Sequence, residues 1–174
     1  MRVLGIDPGL RATGYGVVEA ERGDLRHVAS GTITIPSTPP LPARLKALFD
    51  ALTEICVRYH PAEMAVEQTF LAKNFAVALK LGQAQGLALL VAEQAGLPVT
   101  EYSASEIKVA VTGYGGAAKE QVQQMVGRLL RLAVEPTTHH ATDALAAAIC
   151  HLHSAAPCHG VGVMRAAGAG APTR

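Results

Sequence analysis

The sequence predicts an α/β domain with a mixed sheet, an antiparallel meander extended by parallel strands and flanked by helices. Three observations predict it. The first third carries β-branched, apolar segments joined by tight-turn chemistry. The remainder alternates short apolar segments with stretches of helical periodicity. The length of 174 residues is room for one domain of ordinary size and not two.

Val3-Leu4-Gly5-Ile6 is an apolar run of the kind a buried strand presents. Asp7-Pro8-Gly9 ends it, because proline cannot continue a ladder and glycine supplies positive φ. Residues 13–19 and 25–35 carry β-branched side chains and predict two further strands, separated by the polar turn Glu21-Arg22-Gly23-Asp24. Pro36, Pro39, Pro40 and Pro42 then break the pattern. Leu45, Leu48, Phe49, Leu52, Ile55 and Cys56 recur at three- and four-residue spacing, which predicts an amphipathic helix over 42–59. After Pro61, Met64-Ala65-Val66 reads as a central strand ending at Glu67. A long helix is predicted over 75–95, a short strand over 98–102, and helices over 103–111, 118–132 and 140–153. No internal repeat interrupts this order. The domain spans 1–153; in 154–174, twelve of twenty-one residues are Ala, Gly or Pro, and this stretch reads as a flexible tail.

Composition excludes some classes of protein. With 49% hydrophobic and 17% charged residues the chain is not a disordered one. No uninterrupted apolar run reaches the roughly 18 residues of a membrane span, and Asp7 interrupts any apolar leader core. Cys56, Cys150 and Cys158 have no paired spacing and read as reduced thiols of a cytoplasmic protein, two of them packed in helices. The net charge of +1 does not advertise a nucleic-acid binder. Its distribution says more: over 107–134, Lys108, Lys119, Arg128 and Arg131 face one acid, Glu120.

The placement of acids suggests chemistry. Asp7 ends the first strand, Glu67 ends the fourth, and Asp143 lies near the start of an alanine-rich helix. Carboxylates at the ends of adjacent strands can converge at one sheet edge, where their repulsion calls for a divalent counter-ion. His140 stands i,i+3 from Asp143 and shares its helical face, with His139 as a rival at i,i+4. Taken singly, each acid also has a plainer reading as a turn, strand-end or first-turn residue. Phe70, close to Lys73, is one of seven aromatic residues and falls in a polar stretch between strand and helix. It can stack on an unpaired base or plug the core at the head of the next helix. The 75–95 helix is apolar on more than one face, as a helix buried against both its own sheet and a second copy would be. Gly113-Tyr114-Gly115-Gly116 lacks both the Walker spacing and the dinucleotide fingerprint.

Three blocks in register carry a resemblance. Gly5-Ile6-Asp7-Pro8-Gly9 with Thr13-Gly14-Tyr15-Gly16-Val17 is the first. The second is Val66-Glu67-Gln68 with Phe70, Ala72-Lys73-Asn74 and Ala78-Leu79-Lys80-Leu81-Gly82-Gln83-Ala84. The third is Lys108, Lys119 with Gln121-Val122, and Asp143-Ala144-Leu145-Ala146. Together, over residues 3 to about 153, the chain resembles the Holliday-junction resolvases of the RuvC family.

The resemblance implies a ribonuclease-H-like fold and a homodimer that cuts four-way DNA junctions by paired symmetric nicks in recombination and repair. It assigns Asp7, Glu67, His140 and Asp143 to a site for Mg²⁺ or Mn²⁺, two ions per site. It places Phe70 against a base near the exchange point; Lys73, close to Phe70 in the sequence, is read as a further DNA contact. Lys108 and Lys119 then engage the scissile backbone, Lys119 also meeting its developing charge. RuvA and RuvB are the implied partners. The chain departs from many members at His140, where an acid is common; the softer imidazole predicts a preference for Mn²⁺. The runner-up readings are a catalytically weak junction-binding protein and a related nuclease acting on RNA.

Overall fold

The computed structural model describes residues 1–68, 75–133 and 138–155. Five strands form one sheet in the order β3-β2-β1-β4-β5. β1 (Arg2–Asp7), β2 (Ala12–Glu21) and β3 (Asp24–Thr34) form the antiparallel meander. β4 (Glu63–Glu67) and β5 (Val99–Tyr102) extend it in parallel beyond β1. The fold is the mixed, ribonuclease-H-like α/β domain that the sequence predicts. Both Arg22 (φ 52°) and Gly23 (φ 91°) are left-handed, as a two-residue hairpin turn with the twist of its strands requires. Gly9 departs from expectation, because its φ is not among the positive ones. Glycine is needed there for space: a Cβ would run into the carbonyl oxygen of Ala12.

The pleat divides the core in two. Leu4 and Ile6 of β1, with Met64 and Val66 of β4, pack under α1 (Leu41–Tyr59) and α2 (Phe75–Gln94). Val3 and Ala65, of opposite parity, pack under α3 (Ala104–Thr112), α4 (Lys119–Leu129) and α5 (His139–Ala155). That parity sends Gly5 and Asp7 towards α5, and puts Glu67 on the face of Ala65.

α5 is buried from Ala141 to Leu152 except at Asp143, which is half-buried. Its backbone lies almost directly on the sheet: a Cβ on Gly5 would meet the Ala144 carbonyl, and one on Gly14 the His140 carbonyl. The far end of α5 is tied down by His151, which is 4% exposed. Its Nε2 lies 2.6 Å from Glu63 Oε2 and its Nδ1 2.9 Å from the Tyr102 hydroxyl. Cys56 and Cys150 are buried free thiols in α1 and α5, as expected of packed cysteines. Burial pushes the Cys150 thiol up to about 11.

α4 is shorter than its periodicity predicts. Arg131 turns left-handed (φ 50°), and the Leu132 and Arg131 amides bond back to the Gly127 and Arg128 carbonyls at 2.9 and 3.2 Å. This closes the helix with a Schellman turn that has no glycine. α5 in turn continues two residues past the expected boundary at 153, to Ala155. α2 is long and apolar enough, by length and composition, to cross a membrane. Its buried face is Ala84, Ala88, Val91 and Ala92, while Phe75, Leu79 and Leu90 are exposed. Gly82 and Gly86, between them, have nothing within 4 Å of a built Cβ.

Candidate active site

Four of the predicted residues meet at one edge of the sheet. β1 delivers Asp7 and the neighbouring parallel β4 delivers Glu67, the residues following the Ile6–Val66 pair. The start of α5, resting on Gly14, delivers His140 from its first turn and Asp143 from just beyond it. His140 Nδ1 lies 2.6 Å from Asp7 Oδ2, and Lys119 Nζ donates to Asp143 Oδ2 at 2.8 Å. His140, not His139, therefore faces the strand carboxylate. Lys119 comes from the first position of α4. Lys108 comes from α3, whose start is fixed by a reciprocal cap in which Ser103 Oγ accepts from the Glu106 amide and Glu106 accepts from the Ser103 amide. Glu67, Lys108, Lys119 and Asp143 line one cleft of about 190 Å³, walled by Ala104, Ile107, Val122 and Ala146. Phe70 and Lys73 lie outside the described residues.

The electrostatics follow from crowding acids where water is scarce. Burial raises the Asp7 carboxyl above its ordinary value and Asp143 adds to this, against the opposing pull of the His140 hydrogen bond. Glu67 is pushed up to about 7, first by burial, then by the charges of Asp7 and Asp143, with Lys119 and Lys108 opposing. Among the described residues, no three His, Cys, Asp or Glu side chains form a ready metal cluster. Asp7 and Asp143 instead take up His140 and Lys119 as partners. The donor chemistry nevertheless fits a divalent cation: three carboxylates and an imidazole at one edge, the Glu67 carboxyl pushed up by burial and by the charges of Asp7 and Asp143.

A folded value of about 7, above the ordinary 4.5, means that the native state holds a proton on Glu67 that the unfolded chain has released. Stability is therefore fully present below about pH 4.5 and falls as pH rises through 7. Glu67→Gln should stabilise the metal-free protein by about 2–3 kcal/mol at pH 8, with the gain vanishing below about pH 4.5. Urea denaturation in chelator at both pH values measures it; an equal effect at both would remove the charge explanation.

Thr138 and the glycines under α5 also position the site. Thr138 caps α5, its Oγ1 accepting the Ala141 amide at 3.2 Å; a threonine just before an apolar helical run is a readable start signal. The floor of Gly5 and Gly14 carries no local signal, since it exists only once α5 crosses the strands.

The family model described as crossover junction endodeoxyribonuclease RuvC matches residues 3–151. A protein of that name from Pelobacter propionicus is 55% identical over 154 residues, covering 88% of this chain and 87% of that one. Its namesake from Granulibacter bethesdensis is 54% identical over 153 residues, covering 88% and 85%. Among solved structures, T. thermophilus RuvC in complex with a Holliday junction substrate aligns with a TM-score of 0.85 and 35% identity, over 89% of this chain and 94% of that one. A sheet edge that gathers Asp7, Glu67, His140 and Asp143, in a chain matched over this length, makes this protein a member of the crossover junction endodeoxyribonuclease RuvC family.

Proposed function

We propose that this protein is a structure-selective endonuclease that resolves four-way DNA junctions by paired, symmetric hydrolysis of phosphodiester bonds in recombination and repair. The observation that carries the reading is the convergence of Asp7, Glu67, His140 and Asp143 beside Lys108 and Lys119, on a chain matched from residue 3 to 151 by the family model.

Family membership implies dependence on divalent metal. Asp7, Glu67, His140 and Asp143 are the residues to hold it, in this reading as two ions. When bound, the metal supplies Lewis-acid stabilisation and a water made acidic enough to attack phosphorus. The chain's own residues do the rest. Lys108 and Lys119 draw the scissile phosphate into the cleft and oppose the charge that develops on it. Lys119 exchanges Asp143 for the phosphate as its partner. Asp7 orients the imidazole of His140, so that the second ring nitrogen is presented at a set angle. Phe70, three residues beyond Glu67, stacks on a base near the exchange point, with Lys73 on the adjoining backbone.

Paired cuts require two sites related by symmetry. The exposed stripe of α2, Phe75, Leu79 and Leu90 with the open glycines between them, supports a homodimer in which a second copy covers this face. A two-fold protein then meets a near two-fold junction. RuvA and RuvB are the partners in this reading, and the cytoplasm is where the protein acts.

The test is cleavage of a synthetic mobile four-way junction, with linear duplex and single strand as controls, in Mn²⁺, Mg²⁺ and chelator. Symmetric nicks in the junction alone, faster in Mn²⁺ and absent in chelator, are expected. Equal rates in the two ions across a concentration series would remove the role given to His140. Binding without cutting in either metal would leave only a junction-binding module, and cutting of RNA would change the substrate.

A further inference from the structure

The start of α5, which carries His140 and, just beyond its first turn, Asp143, is also held by a contact that involves no charge. Thr32 Oγ1, on the edge strand β3, lies 2.5 Å from Thr138 Oγ1, the cap of α5. The Thr138 hydroxyl accepts the Ala141 amide at 3.2 Å, and its carbonyl accepts both the amide and the hydroxyl of Thr142 at 3.3 Å. Thr32 pairs directly with Gly14 in the β2–β3 register. One rung of the sheet therefore supplies two constraints on the same turn. Gly14 sets how closely the helix approaches, and Thr32 sets where its cap stands along and across the strands.

We propose that Thr32 is a positioning residue for the nuclease site. Its hydroxyl, through Thr138, fixes the first turn of α5 and thereby the places of His140 and Asp143 opposite Asp7 and Lys119. This rests on the reading of that site as the catalytic one. The chemistry is a matter of satisfied hydroxyls. Thr138 already accepts the Ala141 N–H, so the contact with Thr32 gives one of the two hydroxyl protons its acceptor and orients both groups. A valine at position 32 keeps the shape and the strand preference but removes that partner, in a half-buried place where water substitutes poorly. His140 and Asp143 follow the cap by two and five residues, so a tilt there displaces both side chains together. A displacement of about 1 Å in a group that must meet a reacting phosphate costs up to about 100-fold in rate.

The test compares the full chain with Thr32→Val and Thr32→Ser. Three quantities are measured: hydrogen exchange of the Ala141 amide, the NMR resonances of the His140 ring, and the single-turnover cleavage rate alongside the junction Kd. In Thr32→Val, the Ala141 amide should exchange about 10-fold faster and the His140 resonances should shift. Cleavage should slow by about 10- to 100-fold with the junction Kd unchanged. Thr32→Ser, which keeps the hydroxyl, should restore all of these. Wild-type exchange and rate in Thr32→Val would overturn the proposal. So would equal impairment in Thr32→Ser, which would point to methyl packing, or a loss confined to the junction Kd. If the unmodified protein fails to cut junctions, the nuclease reading fails, while the Ala141 exchange and His140 resonances still decide whether Thr32 holds the turn.

Discussion

Asp7→Asn should reduce junction cutting by at least about 1,000-fold, the scale of removing a preorganised electrostatic group from a transition state, while the junction Kd stays within about two-fold. Asp7 is the carboxylate in contact with His140, and its charge acts on Glu67. Asparagine keeps an oxygen able to accept the His140 hydrogen bond, so the strand end and the α5 turn should hold their places. What it removes is a negative charge and, in the proposed role, one of the carboxylates that would hold the metal. Removing that charge also relieves Glu67, so the metal-free variant should be at least as stable as the parent at pH 8. Single-turnover cleavage and a binding titration in chelator separate the two effects. Cutting within ten-fold of the parent rate would deny Asp7 this place, and a matching loss of binding would move its role to the DNA surface.

The largest effect on folding is expected at Gly14. A Cβ there would collide with the His140 backbone carbonyl, and backbone on backbone cannot yield as the tip of a flexible side chain can. The helix must lift, and Ala144 over Gly5 and Leu145 over Gly16 lift with it. Gly14→Ala should therefore cost about 3 kcal/mol, the upper part of the overpacking range, and lower Tm by about 6–12 °C for a domain of this size. Whatever folds should cut poorly, because the displaced start of α5 carries His140 and Asp143. The control is Gly127→Ala in α4, where a Cβ meets nothing within 4 Å and the substitution should gain about 0.5–1 kcal/mol. If thermal denaturation finds Gly14→Ala as stable as its parent, α5 does not rest on the sheet in this way.

Much of this was readable from local pattern. Alternation in 3–7 and 63–67 puts Asp7 and Glu67 on the same parity once the two strands lie side by side. The helix over 42–59 follows from its apolar spacing, with Pro61 as its stop. Local reading misses what depends on close approach. Gly9 looks like a conformational glycine and is a steric one. α4 runs on in periodicity past the point where Arg131 turns left-handed, a conformation an arginine does not advertise. His139 and His140 are both compatible with the spacing to Asp143, and only the roll of α5 on its glycine floor turns His140 towards Asp7. Thr32 is 106 residues from Thr138, and no window of sequence joins them.

The exposed stripe of α2 has a consequence for how the protein responds to its own concentration. Only residues 68–74 separate Glu67 from Phe75, which is 85% exposed at the head of that helix. In the proposed homodimer, assembly and substrate binding are linked functions, and the linkage is reciprocal. The factor by which a paired chain holds the junction more tightly is the factor by which the junction tightens the pair. Dilution then acts as an inhibitor, and the junction itself acts as a glue that opposes it.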